Sequence, residues 1–180
     1  MANKKTIKII MAALMAAMTC IATMVIKVPS PTSGYIHLGD GVVLLSGILL
    51  GPFYGGAAAG IGSMFADLFS GYAGFALPTL IIKALAAIAA SVVYQFLSNK
   101  LFQTKFKSVA VIVAGISGGF LVTSGYFIFE GAIMNLGFVA AASGIPFNLV
   151  QNAFGIIVST LLLPVLTKVP AVRDLTVKCN

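Results

Sequence analysis

The chain has 180 residues, of which 59% are hydrophobic and only 8% charged, with a formal net charge of +7. Ordinary soluble domains carry about 25% charged residues, so a chain this apolar cannot cover a water-facing surface, and its length leaves no room for a soluble domain beside several spans. The basic residues sit at the ends of apolar runs, not in an aromatic-studded patch, which argues against nucleic acid as a partner.

Crossing the hydrocarbon core takes about 20 mostly apolar residues per helix. The apolar runs here are long and continuous, as in Ala84–Tyr94 and Val109–Gly115. A membrane barrel would instead show segments of about ten residues with alternating polarity. The expectation is an all-α membrane protein, a single transmembrane domain over 1–180 built as a bundle of about six helices.

Helix 1 is expected over 6–26, and Lys27-Val28-Pro29-Ser30-Pro31 stops it, since proline cannot continue a helix. Its apolar stretch, Ile9 to Ile26, is nearer a full span than a cleavable signal core and is read as retained. Helix 2 is placed over 36–50, with Asp40 at its regular start. Gly51-Pro52 makes a tight reversal into helix 3, over 54–69. Gly71-Tyr72-Ala73-Gly74 breaks the chain again, and Pro78 suits the first turn of helix 4, over 76–96. A polar connection with Lys100, Lys105 and Lys107 leads to helix 5, over 109–129. A Gly-rich connection then leads to helix 6, over 146–166.

Orientation follows from the Lys/Arg content of the connections. With the N-terminus inside, the inner segments hold Lys4, Lys5, Lys8, Lys100, Lys105, Lys107, Lys168, Arg173 and Lys178, and the outer segments only Lys27. Both termini are therefore expected to be cytoplasmic.

That topology gathers the rare polar groups toward the outer face. Asp40 opens helix 2, Asp67 closes helix 3, Glu130 closes helix 5, and Asn148, Gln151 and Asn152 share a face of the first turns of helix 6. Tyr35 and His37 precede helix 2, and Tyr72 lies in the outer turn between helices 3 and 4. Each admits a plain role. Asp40 suits a helix cap, Asp67 and Glu130 suit helix ends, the tyrosines suit interfacial anchors, and the amides could bond a neighbouring helix. Lys83 is the sharpest signal, because a charge inside a span costs about 2.5–3.5 kcal/mol and so faces a partner or a cavity. It reads either as a ligand group or as a structural ion pair with Asp67 or Asp40. His37, Asp40, Asp67, Tyr72, Lys83, Glu130, Asn148, Gln151 and Asn152 are thus the candidate substrate-binding residues.

On helix 1, Ala12, Ala13, Ala16 and Ala17 place small residues four apart, a pattern that lets helices approach closely in lipid. It serves either the bundle's own packing or a flat surface for another membrane subunit. A phosphate-cradling GxxxxGK[ST] loop is missing, as is HExxH, and one histidine supports neither a triad nor a zinc site. Cys20 and Cys179 show no metal-type spacing. The chain is expected to be no enzyme, with no ATPase site, no cofactor and no metal.

The stretch Tyr35-Ile36-His37-Leu38-Gly39-Asp40, then Leu50-Gly51-Pro52, Ala66-Asp67-Leu68 with Gly71-Tyr72, and Pro78-Thr79-Leu80-Ile81-Ile82-Lys83 resembles the S components of energy-coupling factor (ECF) transporters, in their riboflavin- and hydroxymethylpyrimidine-type group. The resemblance runs from about Thr6 to Leu166. It implies a small six-helix protein of a bacterial cell membrane that binds a water-soluble vitamin near the outer face. The implied partners are a transmembrane coupling subunit, docked on a helix 1 alanine motif similar to Ala12/Ala16 and Ala13/Ala17, and two cytoplasmic ATPase subunits. A pyridoxine- or pyrimidine-type vitamin is favoured over riboflavin. A stand-alone ion-coupled transporter and a non-transporting membrane scaffold are the competing expectations.

Overall fold

A computed structural model describes residues 4–32, 34–100, 107–170 and 172. Lys105, Arg173, Lys178 and Cys179, used above for charge and cysteine arguments, lie outside the described residues. In chain order the elements are α1 (Lys4–Val25), strands β1 (Lys27–Pro29) and β2 (Tyr35–His37), α2 (Asp40–Phe69), α3 (Ala73–Lys100), α4 (Lys107–Ile128) with a π-helical turn at Phe129–Ile133, the short α5 (Phe138–Ala142) and α6 (Ile145–Leu166). Five helical stretches among the described residues are long and apolar enough to cross a membrane. The protein is an all-α membrane protein.

The helix pattern departs from the sequence reading at α2. One hydrogen-bonded element runs through both expected helices, yet it is not straight. A continuous helix of 30 residues would be about 45 Å long, but its two ends meet the same part of α3. Asp40 bonds Lys83, and Asp67 stands beside Thr79, one turn earlier. The reversal is at Gly51, with φ 84° and ψ 176° inside the helix, a backbone region open in practice only to glycine. Pro52 then starts the returning arm, where its missing N–H leaves nothing unpaired. The arms close tightly, since a Cβ on Gly55 would collide with the carbonyl of Ser46.

Glycine contacts of this kind hold the bundle together. The backbone of Gly47 lies against Ala87, and that of Gly62 against Ala16. In lipid there is no water to expel between helices, so such close backbone approach supplies the packing. The rising arm of α2 is buried on all sides, from Asp40 to Gly51, and forms the axis of the molecule. Outward-facing Ile9, Phe53, Leu77, Phe120 and Leu161 are all more than half exposed, as a lipid-facing surface requires.

Tyr35–His37 is a strand and not the first turn of a helix. It pairs antiparallel with β1, Val28 opposite Ile36. α3 begins at Ala73, three residues ahead of the expected start at 76 and five ahead of Pro78, and so Lys83 lies nearly three turns inside it. Both differences bring polar backbone and side chains over the same end of the bundle.

Candidate functional site

The β1–β2 ribbon folds over the end of the bundle where α2 starts and finishes, and a small cavity of about 30 Å³ lies beneath it. The ribbon contributes Ser30, Gly34, Tyr35, Ile36 and His37. The helices contribute Asp67, Phe75, Thr79, Tyr126 and Glu130, with Phe147 and Asn148 from α6. Of the residues singled out from sequence, His37, Asp67, Glu130 and Asn148 therefore line this space.

Asp40, Lys83 and Gln151 lie just below it and answer one another. Lys83 Nζ donates to Asp40 Oδ1 at 2.5 Å, and Gln151 Nε2 donates to Asp40 Oδ2 at 2.8 Å. The same glutamine accepts the backbone N–H of His37 through Oε1 at 2.9 Å, tying β2 to α6. Lys83 is fully buried, with its ammonium 5.5 Å from the centre of the Tyr126 ring. Both oxygens of Asp40 are thus satisfied, and this group does not line the cavity.

His37 accepts the Gly39 N–H on Nδ1 at 3.0 Å, which leaves the proton of the neutral ring on Nε2. Burial pushes its pKa down from 6.5 to about 3, with the Lys83 charge adding in the same direction. The ring is neutral at physiological pH. The Tyr35 hydroxyl donates to Asp67 Oδ1 at 2.7 Å, and burial, reinforced by that carboxylate, raises the phenol well above its usual range. Tyr72 stacks obliquely on Tyr35, ring centroids 4.6 Å apart, and supports the cavity wall from outside.

Glu130 is placed by an irregularity. The α4 helix widens into a π turn at Phe129–Ile133, a distortion frequent at functional sites, and Glu130 is buried within it. Its Oε1 accepts the Thr32 hydroxyl at 2.9 Å, and Ser30 and Thr32 share a hydrogen bond at 3.0 Å. The ribbon's tip is therefore fastened to the bundle through Glu130. Asn152 faces elsewhere: its amide donates to the Gly119 carbonyl and the Thr123 hydroxyl, pairing α6 with α4. The three amides of α6 share a helix face only loosely, and each has a different neighbour.

Sequence reasoning did not select Thr79, Tyr126, Phe75 and Phe147 for this cavity. Hydroxyl and aromatic side chains are common in membrane helices, so nothing in their type or spacing sets them apart. Thr79 stands one turn before Lys83 on α3, and that periodicity was the available signal.

At the side of the bundle lies a second hollow, apolar and about 640 Å³, between α1 and the returning arm of α2. Ala12, Ala13, Ala16 and Ala17 line its α1 wall, opposite Ala57, Ala58 and Gly62. Ala13 and Ala17 are exposed, whereas Ala12 and Ala16 are partly covered by α2.

A bundle of apolar helices that carries a polar cavity at one end and an open small-residue face along one side has the build of a membrane-embedded solute-binding subunit. The chain belongs to the ECF-type riboflavin transporter S component family, whose model matches residues 3–168. Members are substrate-binding subunits of transporters, not enzymes. The fold is similar to that of the S component of a bacterial ECF transporter, with a TM-score of 0.68 and 19% identity over 92% of this chain and 98% of that one. An uncharacterized protein of Pyrococcus woesei is 45% identical over 64 residues. That match spans 35% of this chain and less than half, 43%, of that protein.

Proposed function

We propose that the chain captures a small water-soluble vitamin at its acidic end and hands it inward as part of an ATP-driven importer. The observation that carries this reading is the cavity beneath the β1–β2 ribbon, in a chain of the S component family. The reading has six membrane crossings, the two arms of α2 counting as two, with both termini cytoplasmic and the cavity facing out. Lys8 and Lys168 then lie on the inner side and Lys27 on the outer, as loop charge favours. A transmembrane coupling subunit and two ATPase subunits supply the energy, since the chain carries no nucleotide-binding loop of its own.

The family's description names riboflavin. Any vitamin requires the cavity of about 30 Å³ to open, and we favour a single-ring pyridoxine- or hydroxymethylpyrimidine-type vitamin, which needs less opening of the ribbon than a tricyclic flavin. Thr32 and Ser30 hold the ribbon's tip down on Glu130. Entry of solute requires those hydroxyls to let go, and a solute that replaces them at Glu130 gives the opened state its differential stabilisation.

The purified chain in nanodiscs, melted against a vitamin panel, tests capture. A ligand at a hundredfold excess over its Kd adds about 2.7 kcal/mol of stability. Uptake by reconstituted chain should require coupling and ATPase subunits with ATP. Accumulation driven by an ion gradient through the chain alone would overturn the importer reading in favour of a secondary transporter. For sidedness, Lys27→Cys should react with an impermeant thiol reagent on whole cells and Lys168→Cys should not; the reverse pattern would invert the topology.

A further inference from the structure

Two carboxylate oxygens of residues that line the cavity are left unanswered among the described residues. Asp67 and Glu130 are each only 4% exposed. Asp67 uses Oδ1 for Tyr35 and Glu130 uses Oε1 for Thr32, while Asp67 Oδ2, with Thr79 beside it, and Glu130 Oε2 are buried with no hydrogen-bond partner among the described residues. Asp40 shows the contrast, for both of its oxygens are bonded. A buried acceptor left without a donor is a costly arrangement, and two in one small cavity mark what the cavity is shaped to receive.

The cations nearby are already engaged. Lys83 is bound to Asp40, and Lys27, at the rim, donates to Ser70 at 2.9 Å and lies over the Tyr35 ring. His37 faces the cavity as a neutral ring with Nδ1 occupied by Gly39. Tyr35, Phe75 and Tyr126 add aromatic surface to the same walls, and ring faces attract positive charge. Among the described residues no three His, Cys, Asp or Glu side chains group closely enough to hold a metal ion, and the aromatic walls suit an organic cation.

We propose that the ligand of this cavity is a small heteroaromatic solute that presents a protonated amine or a cationic ring nitrogen to Asp67 and Glu130, and that phosphorylated or carboxylated forms are rejected. This rests on the reading of the chain as a vitamin-capturing subunit and specifies the chemistry it takes. A cation with N–H donors satisfies both free oxygens, whereas an anion would be brought against two carboxylates in a poorly solvated space.

The test is direct binding to the full chain in nanodiscs, by calorimetry, with heteroaromatic probes that differ in charge: pyridoxamine and thiamine as cations, nicotinamide and riboflavin as neutral solutes, pyridoxal 5′-phosphate and flavin mononucleotide as anions. A cationic probe should bind at least tenfold more tightly than the neutral ones, and the anions should not bind. Glu130→Gln and Asp67→Asn, which keep side-chain shape, should each weaken the cation at least tenfold and leave any neutral probe within a factor of about three; melting without ligand checks that both variants fold. Tighter binding of a neutral or anionic probe, or cation binding that survives both substitutions, overturns the charge assignment while vitamin capture stands. No binding by any probe at millimolar concentration sinks both.

Discussion

Lys83 has no exposed surface, and the chemistry around it is closed: its ammonium bonds Asp40, whose other oxygen takes the Gln151 amide. Removing one member of a buried pair costs about 3–5 kcal/mol because the other charge is stranded, while replacing both by apolar or neutral groups of similar volume is often neutral. Lys83→Met should therefore lower stability by about that amount, and Lys83→Met with Asp40→Asn should recover most of it, as read from thermal melts in detergent. A single variant as stable as the native chain would show the pair to be dispensable. His37 gives a pH dependence of known sign. Its folded pKa is depressed from 6.5 to about 3, so above pH 6.5 it is neutral in both states, and below it the unfolded chain gains a proton that the folded chain refuses. Stability attributable to His37 is lost as pH falls through that window, at up to about 1.4 kcal/mol per pH unit. His37→Asn should flatten the melting temperature against pH between 6.5 and 4; an unchanged slope would assign the acid sensitivity to other groups. Lys83 was legible in the sequence because a charge within a span has a cost that demands a partner. Which acid answered it was not legible, because Asp40 and Asp67 are both plausible by position and only the fold-back of α2 separates them. Thr79 and Tyr126 carried no comparable signal, since a threonine hydroxyl in a membrane helix can bond its own backbone and a tyrosine can serve as an interfacial anchor.

Among the elements, α2 depends most on a single residue. Gly51 holds φ at 84° between the two arms, and the next turn packs so closely that Gly55 has no room for a methyl group beside Ser46. Gly51→Ala should cost about 1–3 kcal/mol from backbone strain alone. Gly55→Val should be worse, because the arms cannot close around it, and should abolish recovery of monodisperse protein on size exclusion. Equal yields of the two variants would mean that the arms tolerate separation. The Gly51-Pro52 pair announced a break in the sequence, for glycine and proline punctuate helices in known ways. The β1–β2 ribbon and the π turn were not announced. A three-residue strand is too short to show alternation, and the widening at Phe129–Ile133 reflects what surrounds Glu130, not the helix's own propensities. Both unannounced elements border the cavity, so the site was less legible than the bundle that carries it.

Across the whole molecule, the polar cavity and the open small-residue hollow proposed for docking are kept apart. The cavity lies at one end, fastened by Thr32 and Glu130, while the small-residue hollow runs along the side between α1 and the returning arm of α2. That separation lets a partner engage the side whether or not the end is occupied, provided the right alanines face outward. The sequence could show spacing on helix 1 but not direction, because both alanine pairs repeat every four residues. The structure assigns them differently: the Ala16 backbone is pressed against Gly62, and Ala12 and Ala16 pack on the core, whereas Ala13 and Ala17 are exposed in the hollow. Leucine at Ala12 and Ala16 would therefore force α1 away from α2 and confound docking with folding, overpacking costing about 1–3 kcal/mol. Leucine at Ala13 and Ala17 fills the hollow from its open side and leaves α1 seated. The expected outcome for Ala13→Leu with Ala17→Leu is loss of copurification with a coupling subunit and loss of ATP-dependent uptake, with the ligand-induced melting shift of the isolated chain unchanged. An intact complex with that double variant would move the docking face off α1, and a lost melting shift would mean that the side and the end of the bundle are coupled after all.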